Sequence, residues 1–381
     1  MVKKITLTVI MALFLLSYAT IVLSKDGVNA SKKEIAIAGM DAVTGKFGEY
    51  GTSNKRGQEF AVAEINEAGG IASGPLKGYK LKLDFYDDQG DPKESASIAR
   101  KISSMDYLVV IGETMSSCAL AQTPVLFKQR FPAIITYSNA ATITEQGFDN
   151  IIRLTYTTKS VAYDMADTVV KQFKKSKVSI INENVDYGQQ LLKSFQERIK
   201  NQKYNIQIVS QDTVAPGQDV DFRDVLIKAK AKQPDMVILF LEYNEGGMVV
   251  RQTRSMGWQI PIYAAGGLAE PKFFELAGEL GEFYLNMPRR LKLVGKFVEG
   301  YEAQYKVKPP EAATYGYDGV KITAKTIEMG GVDHESFIKK MRQVKIPGLG
   351  NPVYEFDKVG DIVKADLYTL TGEEYKKEYL K

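Results

Sequence analysis

The sequence of 381 residues contains one cysteine, Cys118, and one histidine, His334. A lone cysteine cannot close an internal disulfide. The lone histidine sits in the polar run GVDHESF, where it reads as a solvated residue at a helix start. A serine or cysteine nucleophile is therefore left without its usual base. A zinc or iron site would have to be built from carboxylates, and no such cluster stands out along the chain. No Gly-x-Ser-x-Gly elbow surrounds residues 112–118, and Walker and Rossmann glycine patterns are missing. The run YDDQGD at 86–91 lacks the spacing and closing glutamate of a calcium loop, and reads as a strand-end turn feeding a helix. Catalysis finds no support, and neither a cofactor nor a metal is expected. Charge of one sign is scarce too. Lysine and arginine number 50 against 46 acidic residues, for a net charge of +4, and the two signs are interspersed. That excludes a nucleic-acid footprint.

What is present begins with an export signal. Lys3 and Lys4 precede an apolar run from Ile5 to Leu23, followed by small and polar residues. This is the layout of a secretory signal peptide. Its 19-residue run is nearly long enough to span a bilayer, so an uncleaved anchor is the other reading. Ser24 and Ala30 are both possible cleavage ends. The segment has no cysteine, so no lipid is attached at a cleaved N-terminal cysteine. The expected product is a soluble exported protein, located in a bacterial periplasm.

With 44% hydrophobic residues, the chain can bury the cores of two globular units. Apolar runs of about six residues read as buried strands at 34–40, 80–86, 107–112 and 132–138. Amphipathic stretches lie between them. GTSNKRGQEFAVAEINEAGG places Phe60, Ala61, Ile65 and Ala68 at helical spacing and stops at Gly69-Gly70. Strand–helix alternation implies βαβ units and a parallel sheet. The pattern then recurs. Strands are predicted at 177–183, 204–211, 235–242 and 260–267, with helices at 187–201, 218–232 and 245–256. Residues 290–343 read as mostly helical, and two short strands, PVYEFD and IVKADLYTL, finish the chain. The fold class is α/β, with two doubly wound halves. Ligands of such sheets sit at the carboxyl ends of the strands, so the expected site is the cleft between the halves.

The stretch GETMSSC at 112–118 follows one of these strands. Hydroxyls and free backbone N–H groups at a helix N-terminus can receive a carboxylate, helped by the helix dipole. Ser116 and Ser117 are candidates for that role, with an ordinary capping serine as the plainer alternative. Cys118, one turn into the predicted helix, reads as small buried filler.

The chain resembles the leucine/isoleucine/valine-binding proteins of bacterial ABC importers, the type I periplasmic binding proteins. The resemblance runs from about 33 to 371. It rests on GKFGEYG, GQEFAVAEINEAGGI, YDDQGDP, VVIGETMSS, ITYSNAAT, VDYGQ, VVRQTRSMGW and TYGYDGV, all in family order. It implies two lobes joined by three crossings and closing over a ligand by hinge motion. Residues 1–24 are then the signal peptide. Segments 33–156 and 286–355 form the N-terminal lobe, and 157–285 with 356–381 the C-terminal lobe.

The resemblance also implies site residues. Ser116 matches the position that holds a ligand carboxylate. Ser138 and Ala140 match positions contacting carboxylate and ammonium, and Thr142 takes the threonine role if the alignment slips by two residues. Tyr187 matches an aromatic of the second lobe that covers the ligand, and Tyr50 a tyrosine at the cleft mouth. Two departures stand out. The family's amino-acid binders carry an acid just after the strand equivalent to PIYAAGG, where this chain has Ala265 or Gly266. A buried ammonium without a partner is costly. Glu242, in FLEYNE, offers a carboxylate from the neighbouring strand; otherwise Tyr243 holds the pocket and Glu242 lies on the rim. Gly266 and Gly267 leave room for a bulkier group, such as a ring against Tyr187 or Tyr243. The second departure is the short run NMPRR between Leu285 and Leu291, where a crossing is expected.

The implied function is capture of a small carboxylate-bearing ligand, either a branched-chain-like amino acid or an aromatic or aliphatic acid. The protein would act as a monomer and deliver its ligand to a membrane permease. Two other classes remain open: a sensor or receptor module on the same fold, and a hydrolase working through Ser116 or Cys118.

Overall fold

Parallel strands covered by helices on both faces are read as almost continuous apolar runs, and EIAIAGMD and MVILF are such runs. In the computed structural model, which describes residues 24–218, 220–288, 295–364 and 367–380, both are central strands. No helix among these residues is long and apolar enough to cross a membrane. The expected signal peptide, apart from Ser24, lies outside the described residues.

The first sheet contains β1 (Ser24–Lys25), β2 (Val28–Asn29), β3 (Glu34–Asp41), β4 (Lys80–Asp87), β5 (Val110–Ile111), β6 (Ala133–Ile135) and β7 (Ile151–Arg153). Its parallel strands lie in the order β4-β3-β5-β6-β7, with β2 added antiparallel to the start of β3. The second contains β8 (Lys177–Glu183), β9 (Gln207–Val214), β10 (Met236–Phe240), β11 (Ile262–Ala264), β12 (Phe283–Pro288) and β13 (Leu367–Thr371). Its order is β9-β8-β10-β11-β12, with β13 antiparallel at the edge. Counted within each lobe, both sheets run 2-1-3-4-5. That order has its switch point between the first and third strands, where ligands bind at the carboxyl ends. In the first lobe the switch point lies between β3 and β5, and in the second between β8 and β10.

The chain passes from the first sheet to the second after β7, returns after β12, and crosses again before β13. Two helices of the first lobe, Gly48–Glu67 and Glu311–Glu328, approach so closely that a Cβ on Gly57 would lie 2.0 Å from the Ala313 carbonyl oxygen. Only glycine fits there, and this seam ties the segment after the second crossing to the first lobe. Arg153, fully buried at the end of β7, fastens the segment before the third crossing. It donates to Asp361 at 2.6 Å and to the Ala140 carbonyl at 2.6 Å, and its own N–H bonds the Gly360 carbonyl.

Several predicted elements are shorter or different. The runs at 107–112 and 132–138 pair only over Val110–Ile111 and Ala133–Ile135. At Gly112 the backbone turns to φ +146, and a Cβ would fall 1.8 Å from the Met40 oxygen, so the strand ends there. The run at 260–267 pairs over Ile262–Ala264 and then winds into a 3-10 turn, Gly266–Leu268. PVYEFD forms isolated bridges, Ile346 with Tyr354 and Phe356 with Ile362, instead of a strand. Within NMPRR, Asn286–Pro288 belong to β12, while Arg289 to Leu291 lie outside the described residues. The helix Thr158–Lys171 went unread in the sequence, although Thr157 and Ser160 form a capping box at its start.

Candidate functional site

At the first lobe's switch point, β5 ends in Gly112, and the helix Ser116–Lys128 begins four residues later. Its first N–H groups have no partners within the helix. The Ser116 oxygen accepts from the Ala140 N–H at 3.2 Å, which leaves its O–H free to donate. At the second lobe's switch point, β10 ends at Phe240, and the chain continues through Leu241 and Glu242 into the helix Tyr243–Ser255. The two points face one another. Tyr50, from the first lobe, donates its hydroxyl to Glu242 at 2.6 Å and also contacts the Gly267 carbonyl. The Gly267 N–H donates to the Tyr187 hydroxyl at 2.8 Å.

These residues enclose a cavity of about 10 Å³, lined by Tyr50, Thr114, Ser116, Tyr137, Asn139, Tyr187, Glu242 and Gly267. That is room for about one water molecule, so the cleft is closed and must open to admit a ligand. One end presents hydroxyl and N–H donors, and the other a carboxylate. Tyrosines form the walls. Tyr50 lies 6.1 Å from Tyr137 and edge-on to Tyr243 at 4.9 Å, centroid to centroid.

Electrostatics divide the two ends. Burial pushes the Glu242 carboxyl up to about 7; the Tyr50 hydrogen bond opposes this, Glu245 adds to it, and Lys46 opposes it. Glu183, at the end of β8, accepts the Glu242 N–H at 2.8 Å. Burial, then Glu242 and Glu245, hold it well above the usual carboxylate range. Lys46 reaches across from the first lobe to Glu245 at 2.9 Å. The second lobe thus gathers three carboxyls beside the cavity, a setting that favours an incoming cation.

Of the residues singled out in the sequence, Tyr50, Ser116, Tyr187 and Glu242 share this cavity. Tyr243 packs behind Tyr50 and donates its hydroxyl to the Lys46 carbonyl at 3.2 Å. Ser138 points away and donates to the Glu113 carbonyl at 2.9 Å. Ala140 contributes its N–H to Ser116. Thr142 is exposed and accepts from the Gln190 side chain. Ser117 is half-buried and does not line the cavity. Gly266 backs onto Tyr156, and it is Gly267 that faces the cavity, where a Cβ would meet the Leu241 oxygen at 2.7 Å. The room expected beside the two glycines is therefore taken by protein atoms. Thr114, Tyr137 and Asn139 went unread, and Gly267 was read only as leaving room beside Gly266. Tyr137 and Asn139 alternate with Ser138 after β6, and that alternation was the available signal.

Beneath Ser116 lies a second polar group. Asp41, Asp88, Glu113 and Cys118 are fully buried. Donor atoms of Asp88, Glu113 and Cys118 lie within 4.8 Å of one another. Burial, then Asp88 and Asp41, push Glu113 well above the usual carboxylate range, and burial lifts Asp41 to about 7. The carboxylate cluster that spacing along the chain did not reveal is assembled by three separate strand ends.

The family model described as periplasmic binding protein matches residues 34–371. A Leu/Ile/Val-binding protein homolog from Brucella melitensis is 29% identical over 311 residues, covering 81% of this chain and 82% of its own. The Leu/Ile/Val-binding protein of Escherichia coli is 28% identical over 253 residues, 66% of this chain and 67% of its own. Among solved structures, the branched-chain amino acid substrate-binding protein LivJ of Streptococcus pneumoniae, in complex with isoleucine, superposes with a TM-score of 0.81. It is 25% identical, over 90% of this chain and 97% of that one. A solute-binding protein from R. palustris in complex with benzoate shares the fold, with a TM-score of 0.77 at 18% identity over 88% of this chain and 92% of that one. With the two facing lobes and the cavity between them, the match over nearly all of the described chain makes this protein a member of the periplasmic binding protein family, a solute-binding protein of the ABC-transporter type.

Proposed function

We propose that the protein captures an α-amino acid with a small or mid-sized apolar side chain and presents it to the permease of an ABC importer. One observation carries this reading: Glu242 lines the same small cavity as Ser116. A zwitterion needs a donor site for its carboxylate and an acceptor site for its ammonium. The Ser116 hydroxyl and helix N-terminus serve the first. Glu242, just after β10 and beside the end of β11 at Ala264, serves the second. The tyrosines enclose the apolar part, and binding makes and breaks no covalent bond. The isoleucine complex of the structural relative supports the same ligand class.

A carboxylic acid without the amine is the second reading, favoured by the raised pKa of Glu242. A protonated Glu242 would tolerate a ligand that brings no positive charge. The export route follows the N-terminal signal, with cleavage near Ser24. Gly27 donates to Asp106 at 2.7 Å and Val28 pairs with Ile35, so cleavage at Ala30 would strip residues that are built into the first sheet. The mature protein acts as a monomer in the periplasm.

The test is thermal unfolding of the mature protein with leucine, isoleucine, valine, phenylalanine, their deaminated acids and benzoate. At a thousandfold excess over Kd a ligand adds about 4 kcal/mol. Stabilisation by amino acids and not by their deaminated counterparts supports the first reading, and the reverse supports the second. No stabilisation by any member of the panel overturns both.

A further inference from the structure

We propose that Asp88, Glu113 and Cys118 form a divalent-metal site of the zinc type, buried beneath the first lobe's half of the cleft. The three residues come from separate places in the sequence. Asp88 follows β4, Glu113 follows β5, and Cys118 lies in the first turn of the helix Ser116–Lys128. All three are fully buried, and one donor atom of each lies within 4.8 Å of the other two. The local hydrogen bonds leave specific atoms free. Asp88 accepts the Gly90 N–H on one oxygen, and its carboxyl faces the Glu113 carboxyl and the Cys118 thiol at hydrogen-bonding range, with no donor from outside the cluster on its other oxygen. Glu113 receives the N–H groups of Thr114 and Met115 on one oxygen, while its other oxygen has the Gln122 amide at 3.5 Å. Asp41 is the neighbour on β3. Its backbone carbonyl accepts the Asp88 N–H, one carboxyl oxygen is held by Ala42 and Thr114, and the other is unpartnered.

Buried carboxylates without a counter-charge are strongly unfavourable. Among the described residues, no lysine, arginine or histidine pairs with Asp41, Asp88 or Glu113. A dication would displace the protons that burial keeps on Glu113 and on the Cys118 thiol, and would occupy these donor atoms. The donor set indicates which dication. Calcium and magnesium take oxygen ligands alone, whereas a thiolate beside carboxylates suits zinc. With Zn–S of about 2.3 Å and Zn–O of about 2.0 Å, tetrahedral donors stand about 3.5 Å apart. The donor atoms, all within 4.8 Å of one another, would have to draw together by up to about 1.3 Å to reach that spacing. Three protein donors leave one position, which a water would fill.

The site would also brace the ligand cavity. The Glu113 carbonyl accepts the N–H groups of Tyr137 and Ser138 and the Ser138 hydroxyl, and Thr114 and Ser116 line the cavity. Fixing the Glu113 side chain therefore fixes the backbone that positions the cavity wall. The inference does not depend on which ligand the cleft takes.

The mature protein, stripped with a chelator and kept reduced, is titrated with cobalt(II) and then with zinc, and metal content is measured after desalting. The expected result is one metal per chain. The cobalt form should show tetrahedral visible absorption and a thiolate-to-cobalt charge-transfer band, zinc should displace it, and zinc should raise the unfolding temperature. Cys118→Ser should abolish the charge-transfer band, and Asp88→Asn or Glu113→Gln should weaken metal binding at least about tenfold. Failure of the wild-type protein to retain stoichiometric metal overturns the proposal, whatever the variants do. So does a cobalt spectrum without thiolate character, or one that Cys118→Ser leaves unchanged.

Discussion

Replacing Glu242 by glutamine removes one negative charge from the cavity and keeps the side chain's length and its capacity to accept the Tyr50 hydroxyl. In the empty, closed cleft, burial holds this carboxyl near 7 against an ordinary value of 4.5. A shift of that size corresponds to about 3 kcal/mol opposing its ionised form. A bound ammonium reverses the preference, because it meets an ionised partner at contact distance. Removing that partner leaves a buried cation uncompensated, at a cost of about 3–5 kcal/mol. Leucine affinity should therefore fall by roughly two to four powers of ten. The deaminated acid, 4-methylpentanoate, should bind the variant as well as or better than the wild type. Isothermal titration calorimetry of both ligands against both proteins at neutral pH measures the four affinities. Equal leucine affinity in the two proteins would refute the ammonium role of Glu242.

The sign of the pH dependence follows from the same carboxyl. Its pKa in the closed, empty cleft lies above its ordinary value, so between about 4.5 and 7 that state carries a proton which the ammonium complex lacks. Binding an amino acid then releases a proton, about 0.9 per ligand at pH 6. Affinity rises with pH through this window and levels off above it. A ligand without the amine needs the proton retained, so its affinity falls as pH rises through about 7. An empty cleft that stands open would return Glu242 to its ordinary range and flatten the leucine profile. The loss of leucine binding in the glutamine variant would remain.

Three further substitutions test other parts of the structure. Ser116→Ala should weaken amino acids and deaminated acids alike by about 1–3 kcal/mol, because both present the same carboxylate; unchanged affinity removes Ser116 from that role. Tyr50→Phe deletes the hydroxyl that joins Glu242 and the Gly267 carbonyl across the cleft. Small-angle scattering of the ligand-free protein should then report a larger radius of gyration, and an unchanged radius would show that the bond does not hold the cleft shut. Arg153→Met leaves Asp361, the Ala140 carbonyl and the Thr144 hydroxyl without their buried donor. Denaturant unfolding should show a loss of about 3–5 kcal/mol, and a loss below about 1 kcal/mol would mean that the last crossing is anchored elsewhere.

The fold was legible because parallel strands covered on both faces leave unbroken apolar runs, and those at 34–40, 80–86, 177–183 and 235–242 are all strands. The periodic signal failed where pairing is decided by distant backbone. The run around Val110–Ile111 leaves the sheet at a glycine turn pressed against Met40, and β12 depends on partners on either side, β11 and β13, for its place. Within the site, Tyr50, Ser116, Tyr187 and Glu242 were legible as residues at strand ends or in motifs kept in family order. The residues between β6 and Thr142 were harder to assign. A loop has no fixed side-chain period, and the Ser138 hydroxyl satisfies the Glu113 carbonyl while its neighbours Tyr137 and Asn139 face the cavity.

The acid clusters were invisible for a related reason. Sheet order brings β3 beside β4 and β5, and β8 beside β10, so carboxyls far apart in sequence meet at the two switch points. The first lobe gathers Asp41, Asp88 and Glu113, and the second Glu183, Glu242 and Glu245. Similar positions in the topology then lead to different chemistry through what surrounds them. In the second lobe Glu242 opens onto the cavity and Lys46 comes across to Glu245, so the cluster is matched to a ligand's charge. In the first, the helix carrying Ser116 covers the cluster, and Cys118 on that helix turns inward beside Asp88 and Glu113. A charge that cannot be met from the cleft has to be met within the lobe, by protons or by a metal ion, and a thiolate-to-cobalt band in the metal titration is what separates the two.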